Sequence, residues 1–203
     1  MREKLIHAAI ERFGKRGYDG VGTREIAAAV GTPMSSITYH FGGKEGLYHA
    51  AAEHIFLQLL RDVGGEQDIP ADGAPAEERI DAICGIIQSV AQFMLSPRSA
   101  AFALFIGREQ QDPSPTVREL MQATVMPMIV ELSRQVGMVR RDLDAEEAKA
   151  VTIFLFGMAI TLRHSRASLG ILMGSESFEP STQAMLLAQL DACARAVLRG
   201  QAE

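Results

Sequence analysis

Apolar residues recur at intervals of three and four along almost the whole chain, and no segment keeps up an alternation with a period of two. Intervals of three and four place side chains on one face of an α-helix, whereas alternation is typical of a strand. The pattern therefore predicts an all-α protein. In the first predicted helix, over 2–15, the apolar face holds Leu5, Ala8, Ala9 and Phe13, and Gly17 is expected to end it as a left-handed C-cap.

Start and stop signals divide the rest of the chain into further helices. Thr23 is suited to cap one helix, and Thr32 followed by Pro33 supplies a hydroxyl cap and a proline at N1 for the next. Asp144 with Glu147 has the form of a capping box. The predicted helices are 2–15, 24–30, 33–40, 44–63, 75–95, 97–110, 115–136 with a kink at Pro127, 144–169 and 180–199, and a polar linker covers 64–75.

Two domains follow from this division. The short helices near the N-terminus predict a helix-turn-helix domain over 1–47, and the longer helices predict a helical bundle for ligand binding and dimerisation over 48–203. Charge follows the same division, because the first 47 residues carry a net charge of +2 within a chain whose total is −5. A basic N-terminal part agrees with a nucleic-acid partner, although the asymmetry is modest.

Composition excludes several other classes. The chain of 203 residues is 47% apolar and 22% charged, which is ordinary for a globular protein. The apolar, nearly uncharged run 150–162 is too short to span a bilayer, so we expect a cytoplasmic protein with no membrane partner. Cys84 and Cys193 belong to no metal-ligand pattern, and each is predicted to be a buried small apolar residue. No motif indicates a cofactor or a metal.

Residues 23–47 carry the main functional signal. Two short helices joined by a tight turn with Gly31, the second of them small and polar on its outer face, are typical of a helix-turn-helix. The second helix can enter the major groove if its inner side is buried and its outer side is held at the surface. The residues predicted to bury this inner side together are Ile26, Ala27, Val30, Ile37 and Phe41.

The outer face of the second helix then supplies candidate DNA contacts. Apolar contact with a thymine methyl group and hydroxyl hydrogen bonds are open to the candidate base-contacting residues Met34, Ser35 and Thr38. Because no Arg, Asn or Gln stands there, groove shape and Arg24 are expected to add specificity. The candidate phosphate contacts are Thr23, Tyr39, His40 and Lys44, and for Tyr39 and His40 packing against the fourth helix is the alternative.

The same residues resemble a known family. The pattern Ala8-Ala9…Phe13…Gly17-Tyr18…Thr23…Ile26-Ala27…Gly31…Ile37…Tyr39-His40-Phe41…Lys44-Glu45…Leu47 is similar to the DNA-binding domain of TetR-family transcriptional regulators. The resemblance implies an all-α dimer, a palindromic operator and ligand-triggered release from DNA. Ser35 replaces a frequent glycine of the family, and Thr38 followed by Tyr39 replaces its usual tyrosine. Which of Thr38, Tyr39 and His40 contacts phosphate therefore stays open.

The second domain is rich in Met and Phe. Its segment Gly107-Arg108-Glu109-Gln110, followed by Pro113-Ser114-Pro115, resembles the CecR-like subgroup of TetR regulators. Flexible Met and flat Phe suit an apolar or aromatic small-molecule effector, although a bundle core uses the same residues. Arg163 and His164 are polar residues of the pocket, the surface or the dimer interface. The candidate ligand-binding residues are Phe93, Phe102, Phe105, Arg108, Met126, Phe154, Met158 and His164.

A homodimer is predicted from the last two helices. The predicted helix 144–169 is apolar almost all round between Val151 and Leu162, so it needs burial on more than one side. The last helix adds a stripe of Met185, Leu186, Leu190, Ala194 and Val197. Two helices from each subunit would form a four-helix interface that presents the recognition helices to half-sites about 34–36 Å apart.

The sequence thus predicts a ligand-responsive repressor that binds a palindromic double-stranded operator as a dimer. An enzyme has no support, since the chain has no phosphate-binding glycine loop, no HExxH and no nucleophile elbow. His49 and His54 are five residues apart, which is not the spacing of two metal ligands on one helical face. A helical scaffold for a protein partner is the remaining alternative.

Overall fold

The computed structural model describes residues 1–64, 70–174 and 178–200, so 65–69 of the predicted linker lie outside the described residues. Over these ranges the regular structure consists of helices without strands, which confirms the all-α prediction. The helices are α1 Arg2–Arg16, α2 Thr23–Ala29, α3 Ser35–Phe41, α4 Lys44–Gly64, α5 Ala76–Leu95, α6 Ser99–Gln111, α7 Pro115–Thr124, α8 Met126–Val139, α9 Ala145–His164, α10 Arg166–Met173 and α11 Pro180–Arg199.

Two predicted N-caps are wrong, and the predicted capping box is confirmed. Thr23 is the first residue of α2, and the cap position belongs to Gly22. The hydroxyl of Thr32 bonds that of Ser36 at 2.8 Å, a local side-chain contact that competes with capping, and α3 begins only at Ser35. By contrast, Ser114 caps α7 with proline at N1, and the capping box at Asp144 opens α9.

Two predicted long helices are each divided in two. The predicted helix 115–136 breaks at Val125 into α7 and α8, because Pro127 has no N–H to donate to the carbonyl of Ala123. The result is a break where a kink was expected. The predicted helix 144–169 turns at Ser165, whose φ of −101° and ψ of 24° are not helical. Neither proline nor glycine marks Ser165, so the sequence gives no signal for this break.

The helices form two compact units. Unit 1 contains residues 1–60 and 98–125, and unit 2 contains 61–97 and the chain from 126 onwards. Each unit is therefore built from two separate segments of the chain. The predicted functional division into 1–47 and 48–203 is a different statement, about roles rather than packing, and it stays a prediction.

In unit 1, α1 packs closely on α6. The position that a Cβ would take at Gly14 lies 3.1 Å from the backbone oxygen of Ala101 and 3.1 Å from the backbone nitrogen of Phe105. Arg108 of α6 donates hydrogen bonds to the carbonyl oxygens of Gly14 at 2.9 Å and Lys15 at 2.8 Å. These bonds satisfy carbonyls that the last turn of α1 leaves free. The buried core includes Leu5, Ile10, Phe13, Ile26, Ile37, Leu47, Ile55, Phe102, Phe105 and Val117.

In unit 2, α5 is packed against α8, α9 and α11. Arg195 pairs with Asp81 at 2.6 Å, which ties α11 to α5 at the edge of the core. Arg79 is buried and donates to the carbonyl oxygens of Ala71 at 2.8 Å and Asp72 at 2.6 Å. The core of the unit is apolar and includes Ile80, Ile83, Ile87, Phe93, Leu132, Val136, Leu155, Ala159, Leu190, Ala194 and Leu198.

The two cysteines differ in burial. Cys84 is buried, as predicted, and burial raises the pKa of its thiol to about 11. Cys193 is exposed on α11, so the prediction that it is buried is wrong for the single chain.

The described residues contain no single helix that is both long and apolar enough to cross a bilayer, although α5 and α6 pass that test together as a bent pair.

Gly14→Val should lower the free energy of unfolding by about 1–3 kcal/mol, because the added carbons meet the backbone of α6. Urea denaturation at a fixed protein concentration measures this change. The matched control is Lys15→Val, which places the same side chain on the exposed face of α1 and should change stability by less than about 0.7 kcal/mol. Equal losses in both variants would contradict the close approach of α6.

Candidate nucleic-acid interface

The inner face of α3 is buried. Ile26 and Ala27 of α2 and Ile37 of α3 are each 0–1% exposed, whereas Val30 and Phe41 are half-buried. The predicted inner face is therefore confirmed in its central residues. Because α3 has only seven residues, its stability depends on this packing rather than on helix propensity.

Ion pairs fix α2 on α1. The Glu25 carboxylate accepts a hydrogen bond from Arg16 and lies 3.4 Å from Nε of Arg12. The hydrogen bond from Arg16 lowers the pKa of Glu25 below its ordinary value. Since the side chains of Arg16 and Glu25 are both about half exposed, this pair serves orientation more than stability.

The outer face of α3 is open to solvent. Met34 is 46% exposed and Tyr39 is 85% exposed, and the side chains of Ser35, Thr38 and His40 are also exposed. The ring of Tyr39 contacts that of His40, with 5.0 Å between the centroids. This exposure contradicts the alternative that Tyr39 is packed against α4. All five side chains are available to a large ligand that approaches α3.

A glycine turn leads from α3 into α4. Gly42 at φ 76° and Gly43 at φ 143° adopt backbone conformations that side chains disfavour, and they place Lys44 at the first residue of α4. Its Nζ lies 4.3 Å from the centroid of the Tyr18 ring. The N-terminus of a helix has free backbone N–H groups and favours an anion, and Lys44 adds a full positive charge there.

The other two predicted contacts lie at the start of α2. Thr23 is half-buried at its first residue, and Arg24 is exposed at its second. Thr23 thus lies beside the free N–H groups of the first turn of α2. This is compatible with a phosphate contact although its hydroxyl caps no backbone N–H.

A surface depression of about 580 Å³ surrounds the start of α4. Its charged and titratable side chains are those of Lys44, Glu45, His49 and Tyr18. Thr116, from the first turn of α7, lines it from the other part of unit 1. The remaining lining residues are Phe41, Gly42, Gly43 and Gly46.

Behind Lys44 lies a group of aromatic rings whose contacts the sequence does not predict. The ring of Tyr48 is 5.0 Å from that of Tyr18 and 4.9 Å from those of Phe13 and Phe105, measured between centroids. The Tyr48 hydroxyl donates to the buried carboxylate of Glu109. Burial, followed by this hydrogen bond, raises the pKa of Tyr48 well above its ordinary value. The only sequence signal was that Tyr48 follows Lys44 by four residues on one helical face.

The predicted ligand-binding residues are divided between the two units. In unit 1, Phe102 and Phe105 are buried, and Arg108 is bonded to the end of α1. In unit 2, Phe93 is buried and Met158 is half-buried, whereas Phe154 is 70% exposed, Met126 is 36% exposed and His164 is exposed.

A second depression, of about 230 Å³ in unit 2, includes none of these residues. Arg163 donates to the carbonyl oxygen of Met94 at 2.8 Å and to that of Ser96. Its guanidinium is therefore occupied in holding the end of α5. The predicted ligand site stays a prediction.

Metal binding finds no support in the part of the chain that the structure describes. No group of three or more His, Cys, Asp or Glu side chains is arranged there to hold an ion.

Comparison with family models covers most of the chain. Residues 5–51 match a model described as bacterial regulatory proteins of the tetR family. Residues 76–201 match the C-terminal domain of the HTH-type transcriptional dual regulator CecR. The first of these segments contains α2, α3 and the start of α4, and the second begins at the first residue of α5.

Individual proteins agree with these models. The HTH-type transcriptional dual regulator CecR of Shigella flexneri is 28% identical over 193 residues, which is 88% of this chain and 82% of that protein. The HTH-type transcriptional regulator BetI of Brucella suis biovar 1 (strain 1330) is 34% identical over 111 residues, covering 55% of this chain and 54% of BetI.

Solved structures share the fold. A bacterial regulatory protein in the tetR family from Rhodococcus RHA1 has a TM-score of 0.71 at 18% identity, covering all of this chain and 98% of its own. AibR, crystallised with isovaleryl coenzyme A and operator DNA, also has a TM-score of 0.71, at 13% identity, covering 95% of this chain and 96% of its own. At these identities the likeness shows the fold alone.

Proposed function

Because this chain belongs to the TetR family of transcriptional regulators, with a C-terminal domain of the CecR type, we propose that it is a cytoplasmic repressor that binds a palindromic operator as a homodimer and is released by a small apolar or aromatic effector. Membership of this family confirms the helix-turn-helix and excludes an enzyme. The relative from Shigella flexneri is named a dual regulator, so the direction of regulation is itself a point to test.

One observation carries the DNA-binding part of the proposal. The outer side chains of α3 are exposed while Ile37 on its inner side is 1% exposed. A short helix held in this way can enter the major groove without losing its packing. Met34, Ser35 and Thr38 then face base edges, and Arg24 at the start of α2 adds a further contact.

Phosphate contacts flank α3 on both sides. Thr23 lies at the start of α2, and Lys44 lies at the start of α4, so each adds a side chain to a helix N-terminus that favours an anion. Tyr39 and His40, both exposed at the end of α3, offer a hydroxyl and a ring N–H. These contacts fix the register on DNA, and the base-facing residues supply the sequence preference.

The dimer is assigned to the exposed faces of α9 and α11. On α9 the side chains of Ile153, Phe154 and Ile160 are 57%, 70% and 36% exposed, which is unusual for large apolar residues. On α11, Met185 is 41% and Val197 is 37% exposed. Small exposed side chains on α11 permit close packing of a partner helix. They are Ala184, Ala188, Ala192 and Ala196.

The effector site is assigned to the Met- and Phe-rich residues of the second domain. The support is chemical in each unit taken by itself. Unit 2 holds the apolar Phe93, Met126, Phe154 and Met158 with the polar His164, and unit 1 holds the apolar Phe102 and Phe105 with the polar Arg108. AibR, which shares the fold, was crystallised with isovaleryl coenzyme A and operator DNA. Three classes of compound are therefore ligands to test: aromatic acids, antibiotics and acyl coenzyme A compounds.

Lys44→Ala should weaken binding to every DNA sequence by roughly tenfold per subunit, which is about a hundredfold for the dimer, because each subunit loses a charge-assisted phosphate contact. The slope of log affinity against log salt should fall by about 2 for the dimer. Mobility shift at several salt concentrations, with the DNA upstream of the protein's own gene and with random DNA, measures both. Thr38→Ala is the matched variant, and it should change sequence preference while leaving the salt slope as it is.

Ala188→Glu should shift the protein from dimer to monomer, because it places a bulky charge in the proposed interface. Sedimentation at micromolar concentration measures the change. Ala76→Glu makes the same substitution at the exposed first residue of α5 and should leave the dimer intact. A dimeric Ala188→Glu protein would move the interface away from α11.

A compound that binds the effector site should raise the melting temperature and weaken operator binding in the same concentration range, because a ligand that prefers one state shifts the equilibrium away from the other. Thermal shift with the three compound classes, followed by mobility shift with each hit, checks this. Stabilisation that leaves DNA binding unchanged, or strengthens it, would argue against effector-driven release.

A further inference from the structure

A buried carboxylate lies behind the candidate phosphate contact. Glu109, near the end of α6, is 8% exposed and accepts three hydrogen bonds. Its Oε1 accepts from the hydroxyl of Tyr48, and its Oε2 accepts from the backbone N–H of Ser114 at 2.9 Å and from the Ser114 hydroxyl at 3.0 Å. A buried carboxylate is unfavourable unless such bonds satisfy it. Glu109 therefore joins α4, α6 and the first turn of α7 at one point.

Tyr48 is fixed at both of its ends by this arrangement. Its hydroxyl is bound to Glu109, and its ring is enclosed by the rings of Phe13, Phe105 and Tyr18. Only 8% of the residue is exposed. A hydrogen bond to a carboxylate is stronger and more directional than one between neutral groups, so it selects one orientation of the Tyr48 ring.

The orientation of Tyr48 is passed on to Lys44 through Tyr18. The rings of Tyr48 and Tyr18 meet edge to face, with an angle of 80° between their planes. The ammonium of Lys44 then lies over the ring of Tyr18 at 4.3 Å, which is a cation–π contact. A lysine that is already held loses less rotamer freedom when it meets a phosphate than a free one does.

We propose that Glu109 is a positioning residue for DNA binding, which holds Tyr48 and Tyr18 so that the Lys44 ammonium is kept where it meets a phosphate. The proposal rests on the proposed function, which gives Lys44 its phosphate contact. Glu109 does not touch DNA in this role. It acts through two aromatic side chains of its own unit.

The test is a double-mutant cycle. Glu109→Gln places an NH₂ group against the Tyr48 hydroxyl or the Ser114 N–H, and Tyr48→Phe removes only the hydroxyl and keeps the ring. Fluorescence anisotropy with a random-sequence duplex and with the gene's upstream DNA gives the affinity of each variant. Each substitution is measured in the protein that keeps Lys44 and in the Lys44→Ala variant. Glu119→Gln, on the exposed side of α7, is the matched control.

With Lys44 present, Glu109→Gln and Tyr48→Phe should each weaken DNA binding about two- to tenfold per subunit, the effect expected when one rotamer-rich side chain must be ordered on binding. With Lys44→Ala the same substitutions should have no further effect, because they act only through the lysine. Circular dichroism and thermal melting establish whether each variant is folded. If Glu109→Gln is unfolded, the test is made with Tyr48→Phe alone.

Three results would overturn the proposal. Losses of equal size in both backgrounds would mean that Glu109 supports the unit as a whole and has no special link to Lys44. Wild-type binding by both variants, together with weak binding by Lys44→Ala, would reject the positioning role and leave the proposed function standing. Wild-type binding by Lys44→Ala itself would reject the phosphate contact, and the positioning role with it.

Discussion

The burial of one face of α3 is the constraint on which the interface depends. A helix of seven residues is far too short to be stable alone in water. Ile37 gives it a place in the core, α3 is packed against α2, and α2 is in turn packed on α1. The outer face of α3 can then be small and polar, because nothing on it is needed for folding. Its side chains are therefore available for the DNA contacts proposed for them.

Unit 1 depends in the same way on two neighbouring residues of α6. Arg108 satisfies the carbonyls at the end of α1, and Glu109 accepts hydrogen bonds from α4 and from the start of α7. Opposite charges at adjacent positions thus point to different helices and satisfy different groups. The helices that carry the proposed DNA contacts are fixed by a segment that lies more than forty residues later in the sequence.

The periodic pattern was enough to predict the buried faces of the early helices, since burial of Leu5, Phe13, Ile26 and Ile37 follows from spacing alone. Glycine and proline signals placed most helix ends within a few residues. The break at Ser165 carries no such signal and was missed. The Thr32 hydroxyl bonds that of Ser36 and does not cap α3. The local sequence does not show which of these two hydrogen bonds a hydroxyl will make.

Contacts between distant residues were out of reach for the same kind of reasoning. Tyr48 and Glu109 are 61 positions apart, and nothing in the spacing of either one indicates the other. In the sequence, Glu109 stands out only as part of the segment that resembles the CecR-like subgroup. The structure gives it three partners within the protein. Long-range pairing of this kind is determined by packing, which local periodicity does not predict.

The division of unit 1 into two chain segments has a consequence for how the protein is made. The chain leaves this unit after residue 60 and returns to it at residue 98, so α1 meets its partner helix only after that return. During synthesis on the ribosome, the groove at Gly14 and the last turn of α1 stay uncovered until Phe105 and Arg108 have emerged. A fragment that stops at residue 60 would lack those covering residues, so its α1 would expose Gly14 and the free carbonyls of its last turn.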